Sequence, residues 1–208
     1  MRSKTLLDLF ARKYQDLRGI YTTPPYSAAS AYPDVPPPET PLSPMILAAR
    51  WSSSDLYVED IPGIAADLLE AGYDTPALRR LSAETQINGS ADVEPLVGRM
   101  FCELGIHYPL REEEAKLIAS RQIAREVIAG SRNAWAAASH IEIVIWDRIP
   151  GNADLEMIFS INDEIDWDAP ERRSLPELDA ALIDALARLA MRSVEGVDFG
   201  ASASHPSL

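Results

Sequence analysis

The chain has 208 residues, a net charge of −13 and a single cysteine, Cys102. This length allows a full apolar core, while one cysteine excludes an internal disulfide and a cysteine-rich zinc site. The negative charge repels phosphate backbones, so we predict no binding to nucleic acid. No apolar run reaches the ~20 residues that cross a bilayer, and no secretory signal is recognisable. We therefore expect a cytoplasmic protein without a membrane span.

The negative charge is concentrated after the first fifty residues. Residues 1–50 contain six Lys/Arg and four Asp/Glu, whereas residues 51–208 contain thirteen and twenty-eight. An acidic body of this kind favours association with a basic protein partner. Solubility alone is the simpler alternative explanation of the same charge.

Residues 1–21 predict a basic amphipathic helix. Leu6, Phe10 and Tyr14 recur at helical spacing, with Lys and Arg residues around them. Such a helix could lie on an anionic membrane, act as a transit peptide, or dock on protein. The acidic residues Asp8 and Asp16 favour docking on protein, so we predict that these three apolar side chains contact a partner or the acidic body.

Residues 22–44 predict a proline-rich linker or arm. Eight of the sixteen prolines fall in this segment. Proline fixes φ and removes hydrogen-bond donors, so we expect an extended, partly polyproline II conformation. Pro-x-x-Pro spacings could indicate a ligand for an aromatic groove, but they also occur by chance in so proline-rich a segment. The arm could instead reach a second copy of the chain and join a homo-oligomer.

Residues 45–195 predict an all-α domain, a bundle of six to eight short helices, and residues 196–208 predict a disordered tail. Several helix starts combine a capping side chain with a proline in the first turn. These starts are at Ser43, Asp60, Thr75 and Ser174.

Glycine residues mark the expected helix ends at Gly72, Gly105 and Gly130, where a left-handed residue is favoured. The segment 134–149 is ambiguous, because Ile141 to Trp146 is rich in β-branched residues that favour a strand. It follows an alanine-rich run without any turn residue. We therefore predict a helix for this segment, with a strand as the alternative.

The densest group of ionisable side chains is an acidic cluster near the last helix. On a helix, Glu164 and Asp168 lie on one face and could bind a hard cation such as Mg²⁺ or Ca²⁺. The glycine-containing spacing of a calcium loop is missing. A surface patch for a basic partner needs no special geometry, and we rank it above metal binding. The cluster consists of Asp163, Glu164, Asp166, Trp167 and Asp168.

Recognised catalytic and cofactor motifs are missing from the sequence. His140-Ile-Glu142 has the His-x-Glu spacing of zinc deaminases, but their Pro-Cys-x-x-Cys half is absent. Glycine-rich phosphate loops, His-Glu-x-x-His and Gly-x-Ser-x-Gly are absent as well. We therefore assign no catalytic residue, no metal ligand and no cofactor.

Three groups of residues resemble a loose group of small, acidic, helical bacterial proteins of uncharacterised function. They are Gly72-Tyr-Asp-Thr-Pro-Ala-Leu-Arg-Arg-Leu81, the expected helix end Phe101-x-x-Leu-Gly105, and Asp163-Glu164 followed by Arg172-Arg173 and Leu178-Asp-Ala-Ala-Leu-Ile183. The similarity covers residues 60–190. It implies a helical fold and a bacterial source, and it transfers no catalytic residue.

Together these features predict a cytoplasmic, acidic, helical module that acts by protein–protein interaction, of the immunity-protein or adaptor kind. Its predicted contacts are the acidic cluster at 163–168 and the apolar side chains of the N-terminal helix. The alternative is a metal-dependent enzyme that uses the carboxylates of the same acidic cluster.

Overall fold

The computed structural model describes residues 27–84, 89–146, 153–164 and 176–192. All regular secondary structure in these ranges is helical, which confirms the predicted all-α class. Within the same ranges, no helix combines the length and the apolar character needed to cross a membrane.

The described residues form eight α-helices, one 3-10 turn and one π turn. The helices are α1 (Pro44–Ser52), α2 (Ile61–Glu70), α3 (Pro76–Ser82), α4 (Ser90–Glu103), α5 (Glu112–Ile128), α6 (Ala134–His140), α7 (Ala153–Asp163) and α8 (Pro176–Met191). The 3-10 turn is Val58–Asp60 and precedes α2, and the π turn is Ile141–Ile145 and continues α6.

The chain divides into two compact units. The first unit comprises the described residues of 39–121 together with Met191 and Arg192. The second unit comprises the described residues of 1–38 and 122–190. Helix α5 begins in the first unit and ends in the second.

The first unit is built from short helices that share one apolar core. Helix α2 packs against α3, and α3 packs against α4. Isolated helices shorter than about 12 residues are marginal in water, so this shared burial rather than intrinsic propensity stabilises them. The large side chains buried in this core are Leu47, Leu68, Leu78, Leu81, Met100 and Phe101.

The second unit contains a segment from the proline-rich part of the sequence. Residues 27–38 form turns without a helix, yet Ala28 is only 3% exposed and packs with Ile128 and Ala187. The Ala28 backbone N–H donates to the Ile128 carbonyl at 3.1 Å. Part of the proline-rich segment 22–44 therefore belongs to a packed core.

The predicted helix starts after Ser43, Asp60 and Thr75 are confirmed, but only one of these three side chains forms a capping hydrogen bond. Thr75 is confirmed as a cap, because its hydroxyl accepts a hydrogen bond from the Leu78 N–H at 3.3 Å. The Ser43 hydroxyl instead donates to the Glu39 carboxylate at 2.6 Å. Asp60 ends the 3-10 turn with a helical backbone, whereas a capping residue usually has an extended one. The predicted cap at Ser174 lies outside the described residues.

The predicted helix ends are confirmed. Gly72, Gly105 and Gly130 have φ of 94°, 83° and 80°, in the left-handed region that glycine adopts without steric cost. After each glycine, the next backbone N–H reaches back to a carbonyl of the last helical turn, at 2.9–3.0 Å. The predicted helix at 134–149 is confirmed for Ala134 to Ile145, where α6 and the π turn replace the alternative strand.

We predict that Gly130→Ala destabilises the chain more than Gly105→Ala does. Both substitutions force an alanine into a left-handed conformation, at a cost of about 1–2 kcal/mol. At Gly130 the added Cβ would also lie 2.9 Å from the Cα of Ser27, whereas at Gly105 it would meet nothing within 4 Å. Urea unfolding of both variants measures the difference.

In this comparison Gly105→Ala is the control for backbone strain alone. Equal losses of unfolding free energy in the two variants would contradict the close packing of Ser27 on Gly130.

Candidate functional site

The structure describes only part of the acidic cluster predicted from the sequence. Asp163 ends α7 and Glu164 follows it, and both residues are exposed. Asp166, Trp167 and Asp168 lie outside the described residues, as do Leu6, Phe10 and Tyr14 of the N-terminal helix. In the part of the chain that is described, no group of three or more His, Cys, Asp or Glu side chains is placed to hold a metal ion.

A cleft of about 630 Å³ lies within the first unit. Its walls come from the end of α1, the segment that leads to the 3-10 turn, the first turns of α4 and α5, and the loop between those two helices. The lining residues are Trp51, Ser52, Ser54, Leu56, Val58, Ser90, Glu94, Tyr108, Pro109, Leu110 and Glu112.

Glu94 is the residue that connects three walls of the cleft. Its Oε2 accepts a hydrogen bond from the Trp51 indole Nε1–H at 2.9 Å, and its Oε1 accepts one from the Tyr108 hydroxyl at 2.6 Å. Hydrogen bonds to a charged acceptor are stronger than those between neutral groups. The carboxylate of an exposed residue is thus held in one orientation by donors from α1 and from the loop after α4.

Tyr108 is held in place by its packing as well as by Glu94. Its ring lies against Phe101, with the ring centroids 5.3 Å apart and the planes inclined by 35°. The ring also lies close to Gly98 in α4, where an added Cβ would approach two Tyr108 ring atoms to 3.3 Å. A glycine in mid-helix costs about 1 kcal/mol relative to alanine, and here it leaves room for the tyrosine ring.

The environment of the Tyr108 hydroxyl disfavours its ionisation. Burial, and then the hydrogen bond to the Glu94 carboxylate, raise the pKa of Tyr108 from 10.0 to about 12. The side chains of Ser52 and Trp51 act in the opposite direction on this pKa. At neutral pH the hydroxyl is therefore a donor that keeps Glu94 in position.

The end of α1 places Trp51 and Ser52 in the cleft wall. Ser54 has φ of 59°, so a serine occupies the left-handed position that glycine fills at other helix ends. The Asp55 N–H donates to the Arg50 carbonyl at 2.8 Å, and the Arg50 guanidinium binds the Asp55 carboxylate at 2.9 Å. This ion pair ties the last turn of α1 to the residue that follows the left-handed serine.

Every charged side chain that lines the cleft is acidic. These residues are Glu94 and Glu112, and the lining contains no Lys, Arg or His. Glu112 forms an ion pair with Lys116 at 2.6 Å, and this hydrogen bond lowers the pKa of Glu112. Leu56, Val58 and Leu110 supply apolar walls. The cleft can therefore accept hydrogen bonds and attract positive charge beside apolar surface.

A network of three polar side chains is buried in the second unit. The Ser139 hydroxyl donates to Asn162 Oδ1 at 3.3 Å, and Asn162 Nδ2 donates to Glu142 Oε2 at 2.6 Å. All three side chains are 5% exposed or less. Glu142 lies in the π turn, a rare conformation that carries it to α7. This chain of hydrogen bonds joins α6 and its π turn to α7 and is inaccessible to a large ligand.

The residues of the cleft form no pattern in the sequence that predicts it. Glu94 is separated from Trp51 by 43 residues and from Tyr108 by 14, so no spacing rule connects them. Each residue taken alone has an ordinary structural explanation: an exposed acid on a surface helix, a core tryptophan, and a tyrosine before proline. Only Gly98, a glycine within an amphipathic helix, indicates that another group approaches the helix closely.

We predict that Tyr108→Phe makes the stability of the chain less dependent on pH in alkaline solution. Because the folded-state pKa is raised, the stabilisation is complete below the ordinary pKa of 10.0 and is lost as pH rises through about 12. The free energy of unfolding of the original chain should therefore fall more steeply than that of the variant. Urea unfolding between pH ~8 and ~11.5 measures both slopes.

Tyr57→Phe is the matched control, because it removes the hydroxyl of a tyrosine that is 64% exposed and outside the cleft. If both variants change the slope equally, the alkaline loss of stability does not come from Tyr108.

Comparison of the chain with protein-family models, with curated proteins and with solved structures finds no match. The resemblance to small helical bacterial proteins therefore stays a prediction. The function must be argued from the chemistry of the described residues.

Proposed function

We propose that the chain is a protein-binding module for a basic partner, of the immunity-protein or adaptor kind. The observation that carries this proposal is the cleft in the first unit, whose charged lining side chains are both carboxylates. Its mixture of fixed carboxylate and apolar wall suits a protein surface that presents positive charge among aliphatic groups.

The charge of the first unit supports the same proposal. Residues 39–121 contain fourteen Asp/Glu and seven Lys/Arg. Four of those seven bases form ion pairs with acids of the same unit: Arg50, Arg79, Arg111 and Lys116. The acids that remain outside these pairs are mostly exposed. A surface with this imbalance steers a basic protein toward it and raises the association rate at low salt.

The acidic cluster at the end of α7 is proposed as a further contact. Asp163 and Glu164 are exposed and therefore accessible to a partner. With Asp166, Trp167 and Asp168 they place four carboxylates and an indole within six residues. Tryptophan is enriched at protein interfaces, and carboxylates complement the positive charge of a basic partner.

The proposal also includes an architecture of the chain that rests on the sequence alone. The helices form a bundle, and residues 1–21 form a basic amphipathic helix carried on a proline-rich arm. Leu6, Phe10 and Tyr14 dock on protein, either on the partner or on a second copy of the chain in a homo-oligomer. The protein acts in the cytoplasm, because its single cysteine suits a reducing compartment.

Affinity capture from the native host tests this function. The full chain, tagged, is expected to retain a basic protein at low salt and to lose most of it at high salt, because exposed charges are screened. Alanine at Asp163, Glu164, Asp166 and Asp168 should weaken equilibrium binding of the purified partner by about tenfold, or 1.4 kcal/mol. Surface plasmon resonance at two salt concentrations measures the rates.

A variant with Glu59→Gln, Asp60→Asn, Asp67→Asn and Glu70→Gln is the control, since it removes four exposed acids and the same formal charge. The partner should associate with this control variant more slowly than with the original chain, and only at low salt, while its dissociation rate stays the same. Identical behaviour of the two variants would remove the acidic cluster from the interface. No partner retained at any salt concentration would overturn the proposed function itself.

A further inference from the structure

We propose that the cleft around Glu94 receives one cationic side chain, an arginine or a lysine, of the partner protein. This inference rests on the proposed function and names the chemistry of its central contact. The charged head of the partner side chain binds the Glu94 carboxylate, and its aliphatic stem lies along the apolar walls.

The Glu94 carboxylate is arranged as a receptor for a cation. Trp51 and Tyr108 each donate one hydrogen bond to a different oxygen, so the carboxylate cannot rotate freely. Each carboxylate oxygen can accept two hydrogen bonds, which leaves one further position on each oxygen. A cation that arrives therefore finds its acceptor already oriented, and less conformational entropy is lost on binding.

The walls of the cleft match the stem of a long cationic side chain. Leu56, Val58 and Leu110 line the cleft beside Glu94. Lys and Arg bury their methylene groups against apolar surface while the charged end stays with a polar partner. A small inorganic cation would leave these walls in contact with water, and the described residues provide no three-ligand group for it.

The charge of the cleft selects against other ligands. An anion would meet the Glu94 carboxylate and the Glu112 carboxylate, which is paired with Lys116 from outside the lining, and no basic lining side chain. A neutral side chain could fill the apolar part but would leave the Glu94 charge uncompensated. A protein is favoured over a free amine, because the cleft is open, Glu94 is exposed, and residues 39–121 contain twice as many acids as bases.

The indole N–H of Trp51 provides a direct measurement, since it donates to the Glu94 carboxylate. The probes are short acetylated and amidated peptides that differ only in their central residue: arginine, lysine, citrulline or norleucine. In NMR titrations of the full chain, the arginine and lysine peptides should shift the Trp51 indole resonance to saturation. The citrulline and norleucine peptides, which lack the charge, should bind at least about tenfold more weakly.

Glu94→Gln should lower the affinity of the chain for the arginine peptide by about tenfold or more, whereas Glu70→Gln should leave this affinity unchanged. The control removes the same charge from an exposed residue that does not line the cleft. Ser90→Lys is a second variant that places a cation in the exposed part of the lining and leaves all three hydrogen-bonded residues intact. This variant should also lower the affinity for the arginine peptide. Thermal melting confirms that each variant is folded.

Equal binding of the citrulline and arginine peptides, or no saturable shift of the indole resonance, would overturn the inference. Binding of free spermidine without binding of the charged peptides would also overturn it, in favour of a small-amine site. If the captured partner binds the original chain and Glu94→Gln equally well, the inference fails while the proposed function stands. If the charged peptides bind but no partner is captured, the cleft chemistry stands and the proposed function fails.

Discussion

The first unit depends on the burial that its short helices share. Helix α3 has seven residues and α2 has ten, so neither would be stable in water without a neighbour. Left-handed glycines after α2 and α4 reverse the chain within two residues and return the next segment to the same core. Because the turns are tight, the residues that flank them are brought close together. The Glu94 cleft is a product of this arrangement.

The cleft and the core of the first unit use the same residues in different ways. Trp51 is 8% exposed and belongs to the apolar core, while its indole N–H reaches the carboxylate at the edge. Tyr108 likewise packs on Phe101 and directs its hydroxyl to Glu94. Aromatic residues with a polar end suit such a boundary, because burial of the ring and satisfaction of the polar group are both achieved. The Glu94 carboxylate is therefore held by two side chains that are themselves anchored by packing.

Local features of this fold could be predicted from the sequence, and contacts between distant segments could not. The left-handed glycines and the Thr75 cap depend on a few adjacent residues, and these predictions are confirmed. At Ser43 and Asp60 the helices begin where predicted, but neither side chain forms a capping hydrogen bond; the Ser43 hydroxyl donates to Glu39 and a 3-10 turn precedes α2. The link between Trp51 and Glu94 depends on how α1 and α4 pack, which no local pattern encodes. The acidic cluster at 163–168 stays a prediction.

Packing of Ala28 on Ile128 has a consequence for the order of events during synthesis. The second unit takes residues from both sides of the first unit in the sequence, whereas nearly all of the first unit is one continuous stretch. An amino-terminal segment that emerges early from the ribosome finds its partners only after residues 122–190 have followed. The first unit can complete its own core during that interval, since domains fold as units while the chain is still growing. The chain is thus organised as one nearly continuous unit inserted into a discontinuous one, and the inserted unit is the first that can fold.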